Sequence, residues 1–97
     1  TGSTVYSLVA GLQKNRADAV TEKLPDTQIV RVTYPAVNDK DNAVYYYAIP
    51  MDGKAMLLCG EVLRSDGQST QQLNEALAAQ SDFFNAVAKN VFVKPAN

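Results

Sequence analysis

Histidine is absent from this chain, and with it the commonest general base and metal ligand. Ser–His and Cys–His nucleophile pairs are therefore excluded. Zinc sites built on cysteine and histidine are excluded too. Cysteine occurs once, at Cys59, so no intrachain disulfide forms. In an apolar strand that thiol is expected to be buried and inert. The five glycines, at 2, 11, 53, 60 and 67, are too dispersed for a phosphate-cradling loop, and no cofactor is expected. Charge of one sign is also lacking. Nine basic and ten acidic residues leave a net charge of −1. That gives no electrostatic footprint for nucleic acid or an anionic membrane. No apolar run approaches transmembrane length, so direct membrane insertion is not expected. Residues 1–10 lack the basic start and long apolar core of a signal peptide. A soluble protein of the cytoplasm or periplasm fits, and an upstream export signal or lipid anchor is left open.

What remains is the composition of one small globular domain. The chain has 97 residues, 46% of them hydrophobic, which fits a single folded unit rather than a disordered one. A chain this short buries a smaller share of its surface than a large one, and dimerisation would help it.

The chain is organised around Val44 to Arg64. Two apolar, β-rich runs flank Asp52-Gly53, a strong hairpin signal. A two-residue turn pairs Ile49 with Met56 and Tyr47 with Leu58. A three-residue loop with Gly53 in the left-handed position pairs Tyr47 with Leu57 and Tyr45 with Cys59. Side chains alternate faces along a strand. Tyr45, Tyr47 and Ile49 share one face, and Val44, Tyr46 and Ala48 the other. In the second run Met56, Leu58 and Val62 oppose Ala55, Leu57, Cys59 and Leu63. Neither face is polar, whereas a sheet with one wet face alternates apolar and polar residues. Either the chain's own helices cover both faces, or one face meets a second copy or another protein. Tyrosine suits such a contact, since it buries a large apolar area and keeps a polar tip.

On either side of the hairpin the pattern is mixed. Thr4 to Leu24 reads as helical, capped by Ser3 or Thr4, with Val5, Leu8, Val9 and Leu12 on one face. The stripe then drifts, with Ala17, Val20 and Leu24 well round from it. One bent helix or two short ones fit, ending before Pro25. Gln28 to Tyr34 reads as a strand, and its Arg31 suggests an edge position. Residues 36–42 read as a polar connection. Ser69 to Asn90 reads as one long helix with a Ser69/Gln72 capping box. Its apolar stripe is Leu73, Leu77, Phe84, Val87, Ala88 and Val91, and Gln80 falls within that stripe.

Carboxylates offer little chemistry. Asp39 and Asp41, flanked by Asn38 and Asn42, supply oxygens, but the loop lacks the glycine turn and distal glutamate of an EF-hand. A solvated loop is expected there, with no metal. Glu61 is the one carboxylate inside an apolar strand. Buried, it would titrate high and mark a pocket. At an edge beside Arg64 or Arg31 it is ordinary.

The segment Tyr45 to Lys89 combines an apolar strand, the Asp52-Gly53 turn, a second apolar strand over Met56 to Leu63 and an amphipathic helix with Leu73 and Leu77. This order resembles the type III secretion chaperone-like fold of class I secretion chaperones and related small bacterial proteins. The resemblance implies binding of protein segments along an exposed sheet and helix surface, common dimerisation and no catalysis. The chain departs from that pattern in being shorter and in lacking a middle helix and extra strands. A small bacterial envelope lipoprotein domain is a second analogy, with paired helices on a three-stranded meander.

The sequence thus predicts a two-layer α+β domain. A three-stranded antiparallel meander (about 28–34, 44–50 and 55–63) packs with an N-terminal helical segment (4–24) and a long C-terminal helix (69–90). The expected function is non-catalytic protein binding, with a protein partner or as a homodimer through the second sheet face. Tyr46, Leu57 and Leu63 are the candidate contact residues. The competing classes are an envelope structural domain and a small-ligand or enzymatic domain with a pocket near Glu61.

Overall fold

The computed structural model describes residues 2–38, 41–51 and 54–93. Their order is α1 (Gly2–Asn15), β1 (Val20–Lys23), β2 (Val30–Tyr34), β3 (Ala43–Met51), β4 (Lys54–Val62), α2 (Thr70–Ala79) and α3 (Ser81–Val93). The strands form one antiparallel sheet in the order β1-β2-β3-β4. The α+β class and the meander are as the sequence predicts, but there are four strands, not three.

The extra strand comes from the segment read as helix. Val20–Lys23 pairs with β2, with Val20 opposite Thr33 and Lys23 opposite Val30. The drift of the apolar stripe after Leu12 marks the true end of α1 at Asn15. Beyond it the β-branched pair Val20-Thr21 favours a strand. Pro25 and Asp26, the latter with φ 62°, turn the chain back. Thr27 holds that turn, its hydroxyl donating to Leu24 O at 2.8 Å and accepting from the Ile29 N–H at 3.0 Å.

β2 is consequently interior, not an edge. Arg31 lies 4.3 Å over the ring of Tyr45 and reaches Glu22 at 2.8 Å on the neighbouring strand. Its charge is partnered rather than repelling stray strands.

The two-layer expectation is also overturned. Tyr45, Tyr47 and Ile49 are buried, in one core with Leu73, Leu77 and Ala88 of α2 and α3. The opposite face of β3, with Val44 and Ala48 buried, belongs to α1, which contacts β2, β3 and β4. Val5 on α1 is buried. A sheet apolar on both faces needs cover on both, and the chain's own helices supply it.

The predicted C-terminal helix is two. Gln80, with φ −96° and ψ 2°, ends α2, and α3 starts at Ser81 with Asp82 in its first turn. The Phe84 N–H still donates to Gln80 O at 3.0 Å, so the break is a bend, and Gln80 is exposed outside it. A straight run of that length would extend ~36 Å, beyond nine-residue strands of ~30 Å. Bending keeps Leu73 and Ala88 both on the sheet. The capping box is as expected: Ser69 Oγ accepts from the Gln72 N–H, and the Ser69 N–H donates to Gln72 Oε1.

The hairpin adopts the two-residue register, with Ile49 opposite Met56 and Tyr47 opposite Leu58. Asp52 and Gly53 lie outside the described residues, as does Asp39.

Candidate protein-binding edge

Pro50 decides which backbone groups of β4 face outward. In an antiparallel pair, rungs that exchange both hydrogen bonds alternate with rungs that exchange none. Pro50 has no N–H, so the Pro50–Ala55 rung is an unbonded one. Continuous pairing from Met51–Lys54 to Ala43–Val62 then bonds Met56, Leu58 and Gly60 inward to β3. Ala55, Leu57, Cys59 and Glu61 turn their N–H and C=O groups away from the sheet. Among the described residues, no backbone hydrogen bond outside the helices and strands involves residues 54–62. β4 is therefore an open edge nine residues long.

Between Lys54 and Glu61 the edge carries none of the devices that discourage stray pairing. From Ala55 to Gly60 it has no charge, no proline and no bulge. The opposite edge, β1, is four residues long, fully exposed and carries Glu22 and Lys23.

Apolar side chains flank the open edge on both faces. On the α1 face, Leu57 is 44% exposed and Cys59 is exposed. The expectation of a buried thiol fails because, among the described residues, β4 has no outer neighbour. Partial desolvation and the nearby Glu61 charge nonetheless push the Cys59 thiol up, which disfavours the reactive thiolate. On the other face a groove of about 280 Å³ runs between β4 and α3. It is walled by Leu58, Gly60, Phe83, Phe84 and Val87, and Phe83 is 63% exposed. Phe84 packs closely over Gly60, where a side chain would press on the ring.

The residues picked from sequence are split by the structure. Tyr46 is half-buried: its ring meets Tyr34 edge-on at 4.9 Å, beneath the end of α1, where the Tyr34 hydroxyl donates to Leu12 O at 2.7 Å. Leu57 lies on the open edge. Leu63, 67% exposed, falls just past the end of β4, about 20 Å along the chain from Leu57 at ~3.3 Å per residue. The three do not form one patch. Phe83 and the Gly60 step were missed. The signal for Phe83 was a large aromatic lying off the apolar stripe of its own helix.

Glu61 is exposed, accepts from Asn42 Nδ2 at 2.8 Å and lines neither groove described here. In the polar connection, the Asp41 carboxylate accepts from the Val37 N–H at 2.9 Å. Among the described residues no group of three or more metal-ligating side chains gathers, and no helix is long and apolar enough to cross a membrane. A second apolar groove, of about 410 Å³, lies beside α1 past the Val30–Ala48 end of the β2–β3 ladder, with Pro50 in its lining. Val5, Val9 and Val30 wall it, with Lys23 and Gln28 as its polar members. A scan against protein-family models, a search of curated proteins and a search of solved structures each found no match.

Proposed function

We propose that this chain is a non-catalytic protein-binding module, and that its binding element is the outer edge of β4. The observation that carries the reading is the open, uncharged run Ala55–Gly60 with apolar side chains on both faces. An added strand gains main-chain hydrogen bonds from such an edge, and flanking grooves select its alternate side chains. The resemblance to secretion chaperones points to the same class of partner, a segment of protein chain.

The test uses wild-type protein and Leu57→Lys as baits in a lysate of the source organism. Leu57 is on the open edge and exposed, so lysine there leaves the core intact and charges the edge. The reading expects a discrete protein retained by wild type and lost by the variant. Equal retention by both baits overturns it, as does none by either when the wild-type bait is itself a monomer.

A further inference from the structure

We infer that the β4 edge pairs with a second copy of this chain, β4 against β4 antiparallel, about a two-fold axis at Leu58. The inference rests on the reading that β4 is the binding element, and names its partner.

The hydrogen-bonding parity is self-complementary. Ala55, Leu57, Cys59 and Glu61 face outward from β4, by the rung argument from Pro50. Antiparallel pairing about Leu58 maps this set onto itself: Ala55 meets the partner's Glu61, and Leu57 meets the partner's Cys59. Every outward donor and acceptor of the strand then finds a mate. Shifting the axis by one residue still pairs outward residues with outward residues, but leaves one end of the set without a strand opposite it.

Charge favours the same arrangement. β4 begins at Lys54 and carries its acid, Glu61, near the other end, with no charge between them. Antiparallel pairing about Leu58 sets Lys54 opposite the partner's Val62 and Glu61 opposite the partner's Ala55, so no like charges oppose each other. Parallel pairing would align lysine with lysine and glutamate with glutamate.

Side chains on both faces gain cover. Leu57 and Cys59 would meet their counterparts on the α1 face, and the exposed Phe83 and the groove beside α3 would meet theirs on the other. The assembly also closes. The joined sheet would have eight strands, and its two outer edges would both be β1, short and charged. Such edges resist further pairing, so a two-fold dimer forms rather than a fibre.

The experiment is sedimentation equilibrium over a concentration series, run on wild type and Leu57→Lys, with denaturation midpoints to confirm that both are folded. Wild type is expected as a dimer, and Leu57→Lys to raise its dissociation constant about tenfold or more, the loss expected of a central interface residue. Oxidative cross-linking fixes the register. Leu57→Cys faces the partner's Cys59 and should give a covalent dimer within the time that wild type, whose two Cys59 side chains sit diagonally, stays largely uncross-linked. Leu57→Cys combined with Cys59→Ser should lose that cross-link. If Leu57→Lys does not fold, the cysteine variants decide alone. A monomer at every concentration overturns the second copy as partner, while the lysate baits still judge β4 as a binding edge. A dimer unaffected by Leu57→Lys, with no gain in cross-linking from Leu57→Cys, places the dimer contact elsewhere and equally overturns the inference.

Discussion

The ring of Phe84 occupies the space above Gly60 so closely that a Cβ there would lie 3.1–3.3 Å from three ring carbons. Gly60 thus lets α3 approach β4 closely at this point. Replacing it with valine forces the ring aside, at a cost of roughly 1–3 kcal/mol typical of overpacking. Gly60→Ala intrudes less and should cost less. Combining Gly60→Val with Phe84→Ala should recover part of the loss, because the two residues share one space. Urea unfolding of the four proteins checks the coupling. Additive losses would show that the valine does its damage elsewhere.

Asn85 ties α3 to the sheet through two donors. Its Oδ1 accepts from the Tyr47 hydroxyl at 2.7 Å and from Arg31 Nη1 at 3.2 Å. Asn85→Leu leaves a buried phenol and a largely buried guanidinium short of an acceptor, while Arg31 Nε already lacks a partner. The expected cost is about 2–4 kcal/mol, since stranded buried donors lose their full solvation. Tyr47→Phe removes a donor instead and should cost only about 1 kcal/mol. The ordering, with Asn85→Leu well above Tyr47→Phe, is what denaturant titration should return.

Alkaline pH should weaken the fold through the same tyrosine. Burial pushes the Tyr47 phenol up to about 12, partly offset by the nearby Arg31 charge. The raised value means that the folded state holds the proton more tightly than the unfolded chain, where tyrosine titrates near 10. This contribution to stability is intact below pH 10 and is lost as pH rises towards 12. Tyr46, also raised by burial, adds to the fall. Tyr47→Phe should therefore show a shallower loss between pH 10 and 12 than wild type. Identical slopes would mean that Tyr47 ionises as readily in the folded protein as in the unfolded one.

Much of this architecture was legible in the residues, and the misses have local causes. The hairpin was readable because Asp52-Gly53 stands between two apolar runs, and Pro50–Ala55 and Met51–Lys54 pair as a two-residue connection requires. Leu73, Leu77, Phe84 and Ala88 face the core as their spacing implies. Val20–Lys23 was misread because four exposed residues carry no burial alternation, and only pairing to β2 makes them a strand. Arg31 looked like an edge charge because its partners, Tyr45, Glu22 and Asn85, lie 9 to 54 residues away in sequence. The bend at Gln80 has no proline or glycine to announce it; tertiary packing sets it. The proposed binding edge was half legible. The face of Leu57 was readable from alternation, whereas the role proposed for it comes from β4 having no outer strand beside it among the described residues.

Arg64 is the last residue whose role only the folded chain reveals. It sits just beyond β4 and gathers carbonyls from both neighbouring connections. Nη1 donates to Gln68 O at 2.9 Å, and Nη2 to Asn38 O at 2.7 Å and Asp41 O at 3.1 Å. Its own N–H donates to Asn42 Oδ1 at 3.2 Å. One planar cation thereby fixes the β2–β3 connection against the turn that leads into α2. Lysine has no planar fork and cannot hold these directions at once, so Arg64→Lys should lose most of what Arg64→Met loses. Each is expected to cost about 2–3 kcal/mol, because hydrogen bonds to a charged donor are the stronger ones and those to Gln68 O and Asp41 O are part-buried. The damage should also be local. Hydrogen exchange in residues 36–38, 41–42 and 65–68 should accelerate by more than that in β3, whose bonds open only with the whole sheet. Uniform acceleration across the chain would show that Arg64 supports the fold as a whole rather than clamping these two connections.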